Sequence, residues 1–150
     1  MDRLLDTARD AILPHFRTRV ATDNKAGESG YDPVTVADKG GETAIRALID
    51  EHYPLHGILG EEHGYKAPQD GLTWVIDPID GTKSFVSGVP LFSTLIGLEL
   101  DGRGVVGVIE LPGLGESLSA RDAHGAWFVG RDGQRRPARV GRFRSPSSAG

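Results

Sequence analysis

The feature that most constrains this chain is a short apolar run, Leu72 to Ile76, that stops abruptly at Asp77-Pro78-Ile79-Asp80-Gly81-Thr82. A run of that length reads as a buried strand. Pro78 fixes its own backbone and holds Asp77 extended. The strand therefore ends in a rigid corner that can turn Asp77, Asp80 and the carbonyl of Ile79 toward one point. Two carboxylates and a carbonyl are hard oxygen donors of the kind magnesium takes in near-octahedral geometry. Just beyond, Gly81 lets the main chain approach a ligand closely. A helix or turn beginning at Thr82-Lys83-Ser84-Phe85 would offer free N–H groups to an anion such as phosphate.

Taken alone, Asp-x-x-Asp-Gly is most often an ordinary turn. Two further acidic stretches shift the balance. Gly60-Glu61-Glu62 follows the apolar pair Ile58-Leu59, and Val34-Thr35-Val36-Ala37-Asp38 places an acid at a helix start. Asp38 by itself needs no function, because the helix dipole favours an acid there. Acids at four element boundaries point to a site.

The remaining pattern supplies a scaffold. Leu4, Leu5, Ala8, Ala11, Ile12 and Phe16 recur at helical spacing, with Pro14 as a kink. Residues 22–34 read as a polar loop. A second helix is expected from Val36 to His52, with Ala44, Ile45, Leu48 and Ile49 on one face, ended by Tyr53-Pro54. Leu91–Leu100 and Gly104–Leu111 read as strands joined at Asp101-Gly102, and Ser117–Arg121 and Ala126–Val129 as a further hairpin. With 38% hydrophobic and 25% charged residues, the 150-residue chain can build a soluble core. A net charge of -4 argues against whole-chain attraction to nucleic acid or an anionic membrane. Without cysteine there is neither a disulfide nor a thiolate nucleophile. The charged N-terminal stretch resembles neither a signal peptide nor a membrane span, so a cytoplasmic protein is expected.

The acidic motifs resemble those of the inositol monophosphatase family of magnesium-dependent phosphatases, over roughly residues 1–130. Asp77-Pro78-Ile79-Asp80-Gly81-Thr82 is similar to the family's signature, Gly60-Glu61-Glu62 to its glutamate motif, and Pro33-Val34-Thr35-Val36-Ala37-Asp38 to its first acidic motif. The resemblance implies an α+β fold, a layered αβ sandwich of the inositol-monophosphatase and sugar-phosphatase type. It implies two or three magnesium ions. Glu61, Asp77 and the Ile79 carbonyl would hold the first, Asp77 and Asp80 a second, and Glu61 would help hold a third. Gly81 and Thr82 would contact the substrate phosphate. Thr82 paired with Asp38 would orient the attacking water, making Glu61, Asp38 and Thr82 the catalytic set. Lys25 falls where the family often carries a basic loop residue, and Glu62 is expected behind the ligands rather than among them. A small phosphorylated metabolite as substrate and a homodimer also follow, with no nucleic acid and no membrane.

Within the family, Lys83 to Leu98, KSFVSGVPLFSTLIGL, looks most like the histidinol-phosphate phosphatase branch. The expected reaction is hydrolysis of L-histidinol phosphate to L-histidinol and phosphate, in histidine biosynthesis. Inositol phosphate or another small monoester is the neighbouring alternative. Family members continue further and carry a Trp-Asp motif that completes the second metal site. Here Trp74 precedes Val75 and Trp127 precedes Phe128. The expectation is therefore an N-terminal αβ domain over 1–130, a missing C-terminal α/β half, and a disordered or truncated tail over 131–150. A catalytically inactive metal-binding remnant is the reading from a different class. Gly102-Arg103-Gly104-Val105-Val106-Gly107 matches the dinucleotide fingerprint by letter, but it sits at a hairpin turn and continues as a strand, where no helix can present its N–H groups.

Overall fold

A computed structural model describes residues 1–18, 22–24 and 33–141. The chain opens with α1 (Asp2–Ile12), whose buried side chains Leu4, Leu5, Ala8 and Ile12 follow the helical spacing. Pro14 does not kink it. The helix stops at Ile12 and passes into a 3₁₀ turn, Leu13–His15. Phe16 then turns inward, with ring centroids 5.6 Å from Phe85 and 5.0 Å from Phe92.

The segment 22–34, read as one polar loop, instead holds two short strands at its ends. β1 (Thr22–Asn24) pairs antiparallel with β2 (Pro33–Thr35), while Lys25 lies outside the described residues. Next comes α2 (Val36–His52), with the boundaries expected from the sequence. Its start is fixed locally: the Thr35 hydroxyl accepts from the amides of Ala37 and Asp38, and the Thr35 amide donates to Asp38 Oδ2 at 2.7 Å.

The rest of the described chain is one eight-stranded sheet. Its strands are β3 (Gly57–Gly60), β4 (Tyr65–Lys66), β5 (Leu72–Asp80), β6 (Ser93–Leu100), β7 (Arg103–Leu111), β8 (Glu116–Arg121), β9 (Gly125–Val129) and β10 (Arg135–Ala138). Their spatial order is β10-β9-β8-β7-β6-β5-β3-β4. β3 runs parallel to β5, and the other neighbouring pairs are antiparallel. Between β5 and β6 lies the short helix α3 (Thr82–Val86). The glycine-rich stretch 102–107 is the β6–β7 turn and the start of β7, as its context demanded.

β10 lies inside the segment that the sequence reading assigns to a tail. It pairs with β9 from Arg135↔Val129 to Ala138↔Ala126. Its four residues have no apolar alternation and include Pro137, which suits a sheet edge. Residues 142–150 lie outside the described residues.

α1 and α2 cover one face of the sheet. Ile45 and Ile49 of α2 and Leu5, Ala8 and Ile12 of α1 share a buried core with Ile58, Trp74, Ile76, Ile96 and Val108. This α+β layering is what the resemblance implies. The opposite face holds Val75, Leu95, Ile109 and Leu118 around a broad hollow of about 510 Å³. No helix among the described residues is long and apolar enough to cross a membrane.

Candidate active site

The parallel pair sets the site. β3 and β5 run side by side in register from Gly57↔Thr73 to Gly60↔Ile76. Their C-terminal ends therefore deliver Glu61 and Asp77 to the same end of the sheet.

Asp80 needs a further device. Residues three apart on a regular strand point to opposite faces. Here Asp77 faces Leu95 while Asp80 faces Ser93, so three steps along β5 match two along β6. This is a bulge, and the extra residue inverts the alternation. Pro78 and Ile79 consequently both turn into the core, while Asp77 and Asp80 both line the cleft. The bulge frees a main-chain carbonyl, and the buried Thr94 hydroxyl donates to that oxygen of Pro78 at 2.8 Å.

The cleft has a volume of about 280 Å³ and is lined by Glu61, Asp77, Ile79, Asp80, Gly81, Thr82 and Lys83. With the Ile79 side chain in the core, that residue presents its main chain to the cleft. The Asp77 carboxylate accepts from the Ile79 amide at 3.1 Å, and Asp80 accepts from the Ser93 hydroxyl at 3.3 Å. Gly81 has φ +87°, a conformation that side-chain-bearing residues rarely adopt, and so turns the chain from β5 into α3. Its carbonyl accepts from the amides of Ser84 and Phe85, at 2.8 and 3.1 Å.

Thr82 and Asp38 meet across 44 residues of sequence. The Thr82 hydroxyl lies 3.3 Å from Asp38 Oδ1 and 3.0 Å from the Ile79 carbonyl. It has one proton for two acceptors, which leaves its oxygen able to accept from a third group. Asp38 is itself buried and held by the Thr35 hydroxyl at 2.6 Å.

The charge balance of the cleft is negative. Burial, then the charges of Glu61 and Asp80 and a hydrogen bond with Glu61, push the Asp77 carboxyl up to about 7, and the Ile79 amide opposes this. Lys83 is the cationic side chain in the lining. As the side chains stand, no group of three or more His, Asp or Glu among the described residues is arranged to hold a metal ion. The donor set nevertheless fits a hard divalent cation: among the described residues of the lining, the carboxylates of Glu61, Asp77 and Asp80 and a main-chain carbonyl offer oxygen donors, and the three acids outnumber the one lysine.

The structure thus brings Glu61, Asp77, Ile79, Asp80, Gly81 and Thr82 to one cleft, with Asp38 reaching it through Thr82. Glu62 and His63 do not line it. Sequence reasoning gave no side-chain role in the site to Lys83, Ser93 or Thr94. The alternation of β6 could have flagged Thr94 as a polar residue in a buried register.

Comparison with known proteins identifies the family. A family description, the inositol monophosphatase family, matches residues 3–147. The chain is 45% identical over 98 residues to a histidinol-phosphatase of Chlorobaculum parvum, covering 65% of this chain and 38% of that protein. It is 44% identical over 103 residues to a histidinol-phosphatase of Mycobacterium tuberculosis, covering 69% and 39% respectively. An inositol monophosphatase structure from Zymomonas mobilis superposes with a TM-score of 0.69 at 42% identity, over 86% of this chain and 48% of that one. The chain therefore spans less than half the length of these relatives. With the signature residues gathered in one cleft and the match running over nearly the whole sequence, the chain belongs to the inositol monophosphatase family.

Proposed function

We propose that this chain carries the main metal-binding half of a magnesium-dependent phosphomonoesterase whose substrate is L-histidinol phosphate. The observation that carries the reading is the cleft itself. Glu61, on the turn just past β3, Asp77, from β5, and Asp80, brought round by a bulge, share one pocket and leave Asp77 hard to ionise. Such a pocket favours a divalent cation over an organic one.

Glu61, Asp77, Asp80 and the Ile79 carbonyl would hold two or three magnesium ions. Bound there, magnesium supplies Lewis-acid stabilisation of phosphoryl oxygens and lowers the pKa of a water. The residues around it do the positioning. Thr82 donates to Asp38 and accepts from the attacking water, fixing its direction. Gly81 and the first amides of α3 face the phosphate, where developing charge needs donors. Lys83 adds a positive charge at the rim.

Two observations support histidinol phosphate over inositol phosphate: the sequence from Lys83 to Leu98, and the naming of two relatives at 44 and 45% identity as histidinol-phosphatases. A cytoplasmic homodimer acting on a small metabolite, with no nucleic acid or membrane involved, completes the proposal. Phosphate release from L-histidinol phosphate, inositol 1-phosphate and adenosine 3′,5′-bisphosphate by the full-length form, with and without magnesium, tests it; this chain alone is expected to turn over weakly or not at all. Fastest magnesium-dependent release from L-histidinol phosphate is expected. Preference for inositol phosphate would move the substrate assignment. Magnesium binding with no turnover on any ester would favour a metal-binding remnant.

A further inference from the structure

Glu61 lies beyond the end of β3, on a turn with no helix or sheet of its own, yet a metal ligand has to be held in place. What fixes that turn is a carboxylate outside the cleft. Glu42 lies on α2, one helical turn beyond Asp38, and is fully buried. Its Oε2 accepts from the Glu62 amide at 2.6 Å, and its Oε1 accepts from the His63 amide at 3.1 Å. Arg46, one turn further along α2, donates to Oε1 from Nε at 2.7 Å. The same guanidinium reaches on through Nη2 to the Gly64 carbonyl. The turn is closed by the Gly60 amide donating to that same Gly64 carbonyl at 3.1 Å.

The His63 ring adds a tie, with Nε2 3.0 Å from the Thr43 hydroxyl and 3.2 Å from the Lys39 carbonyl. Gly60 is part of the same construction. A Cβ at that position would sit 1.9 Å from Glu42 Oε1 and 2.8 Å from the Arg46 guanidinium. The residue before Glu61 must lack a side chain so that the Glu42 carboxylate can pass beneath it.

Burying a carboxylate is costly unless it is paired and its lone pairs are filled. Here one cation and two main-chain amides fill them, and both amides belong to the residues directly after Glu61. A purely structural ion pair on α2 would have no need to reach the turn. We propose that Glu42, paired with Arg46, is a positioning residue that clamps the Gly60–Gly64 turn and so sets Glu61 for the divalent cation. This rests on the metal-binding reading above.

The test is calorimetric titration of the protein with magnesium, alongside amide hydrogen exchange. Glu42→Gln keeps the shape but replaces one acceptor oxygen with an N–H₂ that cannot take an amide or guanidinium proton. It is expected to weaken magnesium binding roughly 10-fold or more, as loss of a group that orients a ligand typically does. Exchange at the Glu62 and His63 amides should accelerate, while exchange in β6 and β7 stays unchanged. Asp50→Asn, at an exposed ion pair with Lys66 on the same helix, is the control and should bind like the wild type. Should Glu42→Gln fail to fold, Glu42→Met/Arg46→Met removes the buried charges while keeping their volume. Its folded form should show the same loss of affinity.

A role in stability alone would lower Tm and leave the dissociation constant of the folded variant untouched, and that result overturns the clamp. Wild-type protein that does not bind magnesium would overturn the metal reading and the clamp with it. Loss of binding in Glu61→Gln but not in either Glu42 variant would overturn the clamp alone.

Discussion

Replacing Asp77 by Asn should make the metal-free protein more stable, although it removes a central site residue. The Asp77 carboxyl sits at about 7 rather than its ordinary 3.8, because burial and the neighbouring Glu61 and Asp80 disfavour its charge. A folded-state pKa above the unfolded one means that the native protein binds the extra proton between those values. Stability is therefore highest on the acid side and is lost as pH rises from about 4 through about 7. At 1.36 kcal/mol per unit, the ceiling on the cost of the ionised form is about 4 kcal/mol. The cleft is open and solvent screens it, which brings the working figure to about 1 to 2 kcal/mol. Asn mimics the protonated acid: its oxygen keeps the bond from the Ile79 amide, and its N–H₂ donates toward the two carboxylates. In a chelating buffer at pH 8 the variant should exceed the wild type by that amount, a rise in Tm of roughly 2 to 8 °C for a domain of this size. The two should converge near pH 4. Magnesium should then stabilise the wild type and not the variant. Denaturant unfolding at several pH values measures the gap. A variant less stable than the wild type at pH 8, or a gap that does not change with pH, would refute the reasoning.

Two further outcomes follow from the geometry. Thr82→Val removes the hydroxyl between Asp38 and the Ile79 carbonyl. In the full-length form it should lower kcat by about 10²-fold, at the lower end of what a positioned proton-handling group contributes, and leave magnesium affinity unchanged; an unaltered kcat there would remove Thr82 from the chemistry. Arg9→Met leaves the buried Glu110 carboxylate without its cation, and Glu110 Oε2 already has no partner among the described residues. Burial raises the Glu110 carboxyl and Arg9 opposes that rise, so the loss should be largest at neutral pH and shrink as pH falls. Because Arg9 is partly exposed, a loss toward the lower end of the roughly 3 to 5 kcal/mol typical of a broken buried pair is expected; an equal loss at pH 5 and pH 8 in urea unfolding would contradict it.

What could be read from the sequence was whatever is decided locally. The start of α2 follows from Thr35 and Asp38, a capping box within four residues, and its end from Tyr53-Pro54. The acidic corner is likewise carried by six contiguous residues. What escaped is set by contacts between distant segments. Nothing near Glu42 in the sequence says that its carboxylate will hold amides twenty residues away, because an i,i+4 pair with Arg46 is the usual mark of an exposed helix face. β10 was missed because an edge strand held by main-chain bonds needs no apolar alternation. Pro14 was misjudged because a proline is as well suited to open a 3₁₀ turn as to bend a helix. The meeting of Asp77 and Asp80 was expected, but through a bent corner rather than a miscount in an otherwise continuous ladder.

That miscount makes the protein unequally tolerant of changes in length. The turn at Asp101-Gly102 lies at the opposite end of β6 from the two acids, so a change of length there is remote from the cleft. Removing either Pro78 or Ile79 leaves the two aspartates two steps apart, still on one face under strict alternation, but abolishes the bulge and with it the main chain that it turns toward the cleft and toward Thr94. The extra residue thus serves the main chain rather than the side chains alone: it lets two acids share a face with a backbone segment free to present its oxygens between them, whatever side chains are chosen.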